Sequence, residues 1–245
     1  MDRLAAIRES DREAGFTLVE LLVTMIAGIV VLMATFGVLD ISMRQNARAT
    51  DRVQTTQIGR SAMERLIQEL HSSCAWATAP PVQVGSSANT LWFISQFSSS
   101  TVPSPVLHKV ALNGSVLSDT TYALSVPAGT TDTTGWLNNP ANWTFANFNT
   151  TVATGYTNLI TNVYPVGAAT GLFQYYRYVN GQIAVDSTHL LTAPLTAATA
   201  PTVGEVTIGM SVRPADQSTE ADRAINLTDA AVVAAPPTTG ATECQ

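Results

Sequence analysis

An apolar run from Phe16 to Leu39 constrains this chain more than any other feature. It is broken only by Glu20, by Thr17, Thr24 and Thr35, and by Gly28 and Gly37. As a helix rising 1.5 Å per residue it would extend about 36 Å, enough to cross a bilayer core. A secretory signal has a shorter apolar core, closed by a small-residue cleavage pattern. This run is longer and no A-x-A follows it, so it is expected to stay with the mature protein.

The helix is predicted to continue beyond the apolar part. From Asp40 to Ser73 there is no proline, and Gly59 is the only glycine. Ile58, Ala62, Leu66 and Leu70 recur every four residues with Met63 and Ile67 beside them, which marks one apolar stripe. Arg60, Glu64, Gln68 and Glu69 are assigned to the other faces, and Arg44, Arg48 and Arg52 form a polar row. The expectation is one helix from about Thr17 to Ser72, its first half facing lipid or other helices and its second half packed on a globular body.

After Cys74 the pattern changes. Pro80–Pro81 ends any helix, and short β-prone runs follow at Thr90–Phe97, Val106–Leu112, Tyr122–Val126, Leu172–Val179, Glu205–Val212 and Ile225–Val233. Asn113–Gly114 and Asn180–Gly181 are hairpin signals. They predict that Val106–Leu112 pairs with Ser115–Ser118, and Leu172–Val179 with Gln182–Asp186. From Pro127 to about Pro165 the chain reads as loop, with Trp136, Trp143 and Phe145 scattered through it, and Thr192–Val203 reads as a surface loop. The fold class expected is α+β, a long N-terminal helix on an antiparallel sheet head. Its parts are residues 1–15 as a polar leader, 16–39 as the membrane half of the helix, 40–73 as the amphipathic half, and 74–245 as the head.

Composition removes several function classes. The net charge is −6 and only 12% of residues are charged, so no electrostatic nucleic-acid binder is indicated. No GxSxG, P-loop, GxGxxG or HExxH motif occurs. His71, His108 and His189 fall in no ligand spacing, and Asp216, Glu220 and Asp222 fit no calcium motif. No catalytic residue, metal or cofactor is therefore expected. The two cysteines, Cys74 and Cys244, make no metal framework. With an exported head they could bridge, closing a loop of about 170 residues worth at most roughly 5 kcal/mol. Two separate thiols are the alternative.

The string EAGFTLVELLVT, Glu13 to Thr24, resembles the class III signal of type IV pilins and type II secretion pseudopilins. The match is dense over about 25 residues, and beyond Cys74 it is only general. The resemblance implies cleavage after Gly15 by a prepilin peptidase and N-methylation of Phe16. Gly15 leaves one flank of the cut bond without a side chain, so the backbone fits a narrow protease site. Glu20 is what apolarity cannot explain, since a carboxylate inside a spanning segment costs about 2.5–3.5 kcal/mol on insertion scales. Taken alone it reads as an interfacial acid at a helix start. The resemblance gives it a partner, the N-terminal amine of a neighbouring subunit, and with it an axial register for assembly.

The implied partners are other pilin subunits, the peptidase, the membrane and a pilus assembly platform. The implied location is a single-pass membrane precursor with an exported head, and then a pilus or pseudopilus. Charge does not decide that orientation, because Arg3, Arg8 and Arg12 before the run balance Arg44, Arg48 and Arg52 after it. Gly37 stands in a region where many major pilins carry a proline. Glu20 argues against the tip pseudopilin type that lacks this acid. A cut after Gly15 would leave 230 of 245 residues, long for a major subunit. Gly171–Asp186 (GLFQYYRYVNGQIAVD) is similar to a segment of J-type pseudopilins and W-type minor pilins, so a minor subunit is the expectation. The alternative function is a single-pass anchored surface binding protein that uses the Trp136–Trp143 region.

Overall fold

The computed structural model describes residues 16–73, 80–96, 105–166, 171–179, 181–214 and 224–233. By contacts the chain divides at Thr50/Asp51 into two units. A helix, α1, runs from Leu18 to His71 without interruption. Thr17 begins it. The Thr17 carbonyl accepts from Glu20 N–H at 3.0 Å and Leu21 N–H at 3.1 Å, and its hydroxyl accepts from Glu20 N–H at 3.3 Å. Threonine followed three residues later by glutamate is the usual pattern of a helix N-terminus. Within the first unit every residue from Phe16 to Thr50 is exposed. Its apolar part is long and apolar enough to cross a membrane, and none of that window is buried.

The second unit holds the rest of α1 and the head. Thr55, Gly59, Ala62, Met63, Leu66, Glu69 and Leu70 are the buried helix positions, spaced as one helical face. Ala62, Met63, Leu66 and Leu70 are as expected. Ile58 is not, being 48% exposed, because Gly59 and Thr55 continue the inward face. Glu69 also departs from expectation and is buried. Leu66 and Leu70 have no exposed surface, and such burial contributes about 1.5–3 kcal/mol per side chain.

The first sheet is antiparallel in the order β1 (Thr90–Gln96), β2 (Pro105–Asn113), β3 (Val116–Ala123), β4 (Gly155–Thr161). The predicted β2–β3 hairpin forms, but Asn113 stands in β2 opposite Val116 and not in the turn, and Val106–Leu112 pairs with Leu117–Ala123 and not with Ser115–Ser118. The two loop residues are thus Gly114 and Ser115. Gly114 alone has positive φ, at 62°, as the first residue of a type II′ turn requires. β3 takes in Val116–Ser118 and, of the strand expected at Tyr122–Val126, only Tyr122 and Ala123. One face of this sheet supplies Leu91, Phe93, Val110 and Leu117 to the main core with α1. The other supplies Ile94, Leu107 and Tyr122, covered by Phe145 and Phe148. The segment expected to be plain loop thus forms an outer layer. It contains α2 (Thr133–Leu137), capped by the Asp132 carboxylate accepting from Gly135 N–H at 2.8 Å, and then β4.

The second sheet is built on β7 (Val203–Val212). β8 (Ile225–Val232) covers one edge. β5 (Val163–Pro165) and β6 (Phe173–Arg177) follow each other along the opposite edge. A single residue, Asn162 at φ 58°, joins β4 of the first sheet to β5 of the second. Its carbonyl accepts from Arg213 N–H at 3.0 Å, and Val163 N–H donates to Ser115 at 3.0 Å.

The second predicted hairpin does not form as expected. Val179 and Gln182 exchange backbone hydrogen bonds of 2.9 and 3.1 Å around Gly181, so the turn itself is present. The ladder stops there because both edges of β6 are taken. β7 holds one, and His189–Leu191 holds the other through Arg177 N–H to His189 at 2.9 Å and Leu191 N–H to Tyr175 at 2.8 Å. Thr192–Val203 is also anchored, with Leu195 and Ala200 in the core.

Candidate functional site

The N-terminal site is the start of α1. Phe16 is 72% exposed and directly precedes the capping residue Thr17. Glu20 lies in the first turn, where the helix dipole favours a negative charge. It is exposed, as are its apolar neighbours Leu18, Val19, Leu21 and Leu22. The arrangement therefore presents an acid on an uncovered apolar rod. Gly15, Cys74 and Cys244, as well as Asp216, Glu220 and Asp222, lie outside the described residues, so the cleavage-site glycine and the expected disulfide have no structural description.

A second cluster, in the head, combines residues that sequence reasoning kept apart. Ser95 on β1, His108 on β2 and Asp119 on β3 share the sheet face that meets α1, each offset from the next by one diagonal step of the ladder. His108 Nε2 is 2.8 Å from Ser95 Oγ, and Nδ1 is 2.9 Å from Asp119 Oδ2. Glu69 enters from the helix, its Oε2 3.9 Å from His108 Nδ1. Phe93 stacks on the imidazole with ring centres 4.8 Å apart. Arg65 Nε donates to Glu69 Oε1 at 2.9 Å. That hydrogen bond raises the Arg65 pKa above its ordinary value. Glu69, His108 and Asp119 are 8%, 7% and 2% exposed.

The Ser–His–Asp order resembles a hydrolytic relay, but Ser95 is 1% exposed and its hydroxyl is closed to substrate. Three carboxylate and imidazole side chains converge here as a possible cation ligand set. A helical projection carried one step further would have found Glu69, three residues after Leu66 and seven after Ala62 on the same stripe. His108 and Asp119 become neighbours only once the hairpin register is known.

Trp143 is 2% exposed, and its indole N–H donates to the Leu137 carbonyl at 2.8 Å. It is part of the packing of the outer layer and offers no ring to a surface ligand.

Residues 10–36 match the family model of the prokaryotic N-terminal methylation motif. The match covers Gly15, Phe16 and Glu20 and supports a type IV pilin-like family for the chain. With the exposed apolar helix, it supports a pilin- or pseudopilin-like structural role and a membrane-anchored precursor. No curated protein and no solved structure matches the chain.

Proposed function

We propose that this chain is a prepilin, cut between Gly15 and Phe16, methylated on the new amine, and assembled into a pilus or pseudopilus through α1. The observation that carries the reading is the uncovered apolar rod from Phe16 to Leu39 with one acid in its first turn, inside a matched methylation motif. Such a surface is stable only when lipid or like helices cover it. In the membrane, lipid covers it; in the fibre, neighbouring α1 helices do. After cleavage Glu20 is the fifth residue, one helical turn from the amine at Phe16. Its charge is compensated by the amine of the adjacent subunit, which sets axial register. The head is exported and packs on the second half of α1, and an assembly platform adds the subunit to the fibre.

The subunit is read as a minor one. The resemblance of Gly171–Asp186 to J-type and W-type subunits supports this, together with the antiparallel β7–β8 pair, although of the hairpin itself one turn is present. N-terminal sequencing and mass spectrometry of membrane-extracted protein test the processing, with N-methylated Phe16 expected at the start. A chain that begins at Met1, or beyond Leu39, overturns it. Quantitative immunoblots of sheared fibres test the minor role, which predicts a small fraction of total pilin.

A further inference from the structure

We propose that Glu69, His108 and Asp119 bind one divalent transition-metal ion of the zinc type, which pins α1 to the first sheet. The argument rests on which atoms of these side chains have partners. The atoms that face away from the centre of the cluster are satisfied: Glu69 Oε1 by Arg65, and His108 Nε2 by Ser95. The two carboxylate oxygens Glu69 Oε2 and Asp119 Oδ1 are buried without a hydrogen-bond partner. His108 Nδ1 lies 3.9 Å from Glu69 Oε2 and 2.9 Å from Asp119 Oδ2.

A protonated imidazole balances part of this charge but has only two N–H groups. One meets Ser95 and the other Asp119 Oδ2, so both bare oxygens stay bare. An unmade hydrogen bond of a buried polar group costs about 1–3 kcal/mol, and more for a charged one. A cation uses both. His108 Nδ1, Glu69 Oε2 and Asp119, through one or both of its oxygens, supply three protein ligands of the types zinc takes, as in sites that keep one further position for water. The ligand atoms of the three residues already lie within 4.8 Å of one another. Tetrahedral zinc at its usual bond lengths sets donor atoms about 3.3 Å apart. The observed 2.9 and 3.9 Å bracket that value, so these two separations need to change by only about half an ångström. With Nδ1 on the metal, Nε2–H donates to Ser95 Oγ, the outer hydrogen bond that fixes a ligating imidazole. Calcium is disfavoured, because it takes six to eight oxygens and no imidazole is needed.

The test uses the full-length chain in detergent, without an affinity tag and with Cys74→Ser and Cys244→Ser to remove thiolate ligands. The protein is stripped with chelator, titrated with Zn²⁺ and desalted. Elemental analysis is expected to find about one zinc per chain, and excess zinc should raise the melting temperature by about 5–10 °C at a hundred times the dissociation constant. Co²⁺ should give visible d–d bands of nitrogen and oxygen ligation. Asp119→Asn and Glu69→Gln should each weaken binding at least about tenfold. Zinc below about a tenth of an equivalent, or binding undiminished in both variants, overturns the proposal. If the variants fail to fold, the stoichiometry and the Co²⁺ spectrum of the parent chain decide it. Ca²⁺ raising the melting temperature as much as Zn²⁺ would also count against the ligand set.

Discussion

At Gly59, α1 comes so close to the β7–β8 ladder that hydrogen is the only side chain that fits without movement. A Cβ there would lie 2.7 Å from Leu227 Cδ1 and 3.3 Å from Val212 Cγ2, against the 3.5–4.0 Å of ordinary carbon contacts. Gly59→Ala sets two effects against each other. Helix propensity favours alanine by about 1 kcal/mol. Moving a Leu227 methyl by about 1 Å costs a comparable amount as a strained rotamer, and Leu227 is only partly buried, so it can swing outward. The net change is expected to be within about 1 kcal/mol. Gly59→Leu has no such escape, because three further carbons meet Val212, which is 2% exposed and branched at Cβ. Overpacking of that kind costs about 1–3 kcal/mol or more. After the propensity gain, about 2 kcal/mol of destabilisation remains, a fall of roughly 4–8 °C in melting temperature for a unit of this size. The full chain in detergent should be melted while tryptophan fluorescence is followed, since Trp92 and Trp143 report on the head and the micelle-bound helix carries no tryptophan. A Gly59→Leu protein that melts at or above the parent temperature would refute the close approach.

Three other outcomes are expected. Glu20→Val should still be cut after Gly15 but enter fibres poorly, and normal incorporation in a fibre-shearing assay would remove its register role. Leu66→Ala, at a position with no exposed surface, should cost about 2–5 kcal/mol in the same melt while leaving the processed N-terminus unchanged; a loss below about 1 kcal/mol would show that α1 is not the centre of the core. The Asp186 carboxylate is held well below its ordinary value of 3.8, first by the His189 ring and then by the Thr188 hydroxyl. The sign follows: any stabilisation is complete above that ordinary value and is lost as pH falls through the depressed one. A carboxyl NMR titration should find Asp186 still ionised at pH 3.8 and His189→Ala shifted back upward; an unperturbed Asp186 would contradict the turn geometry.

What was legible in the sequence was what is local. The apolar run, the Thr17 start and the α1 stripe follow from periodicity, and the β2–β3 hairpin from a glycine between two apolar runs. β4 was missed because its partner lies across the whole outer layer and Ile160 is its only buried residue. The partner of β6 was missed for a similar reason. A correct turn at Gly181 could not reveal that β7, far along the chain, and His189–Leu191 would claim both edges of the strand. The N-terminal site was readable because its chemistry lies in consecutive residues. The Glu69–His108–Asp119 cluster was not, because it draws on a helix and two strands that meet only after packing. A rule that places glutamate outside also misplaces Glu69, the buried acid of α1.

Asn162 carries a consequence for how heads of this kind can diversify. It is the whole connection between the two sheets, and residues beyond it alternate faces with a period of two. One inserted residue there would turn Val163 out of the core and reverse the facing of β5. Among the described residues, length can change where the chain leaves the ladders, as in the outer layer of residues 124–154 and in residues 181–202. New contacts with other subunits or surfaces can be gained in segments of that kind, while the crossing between the sheets keeps its single-residue length.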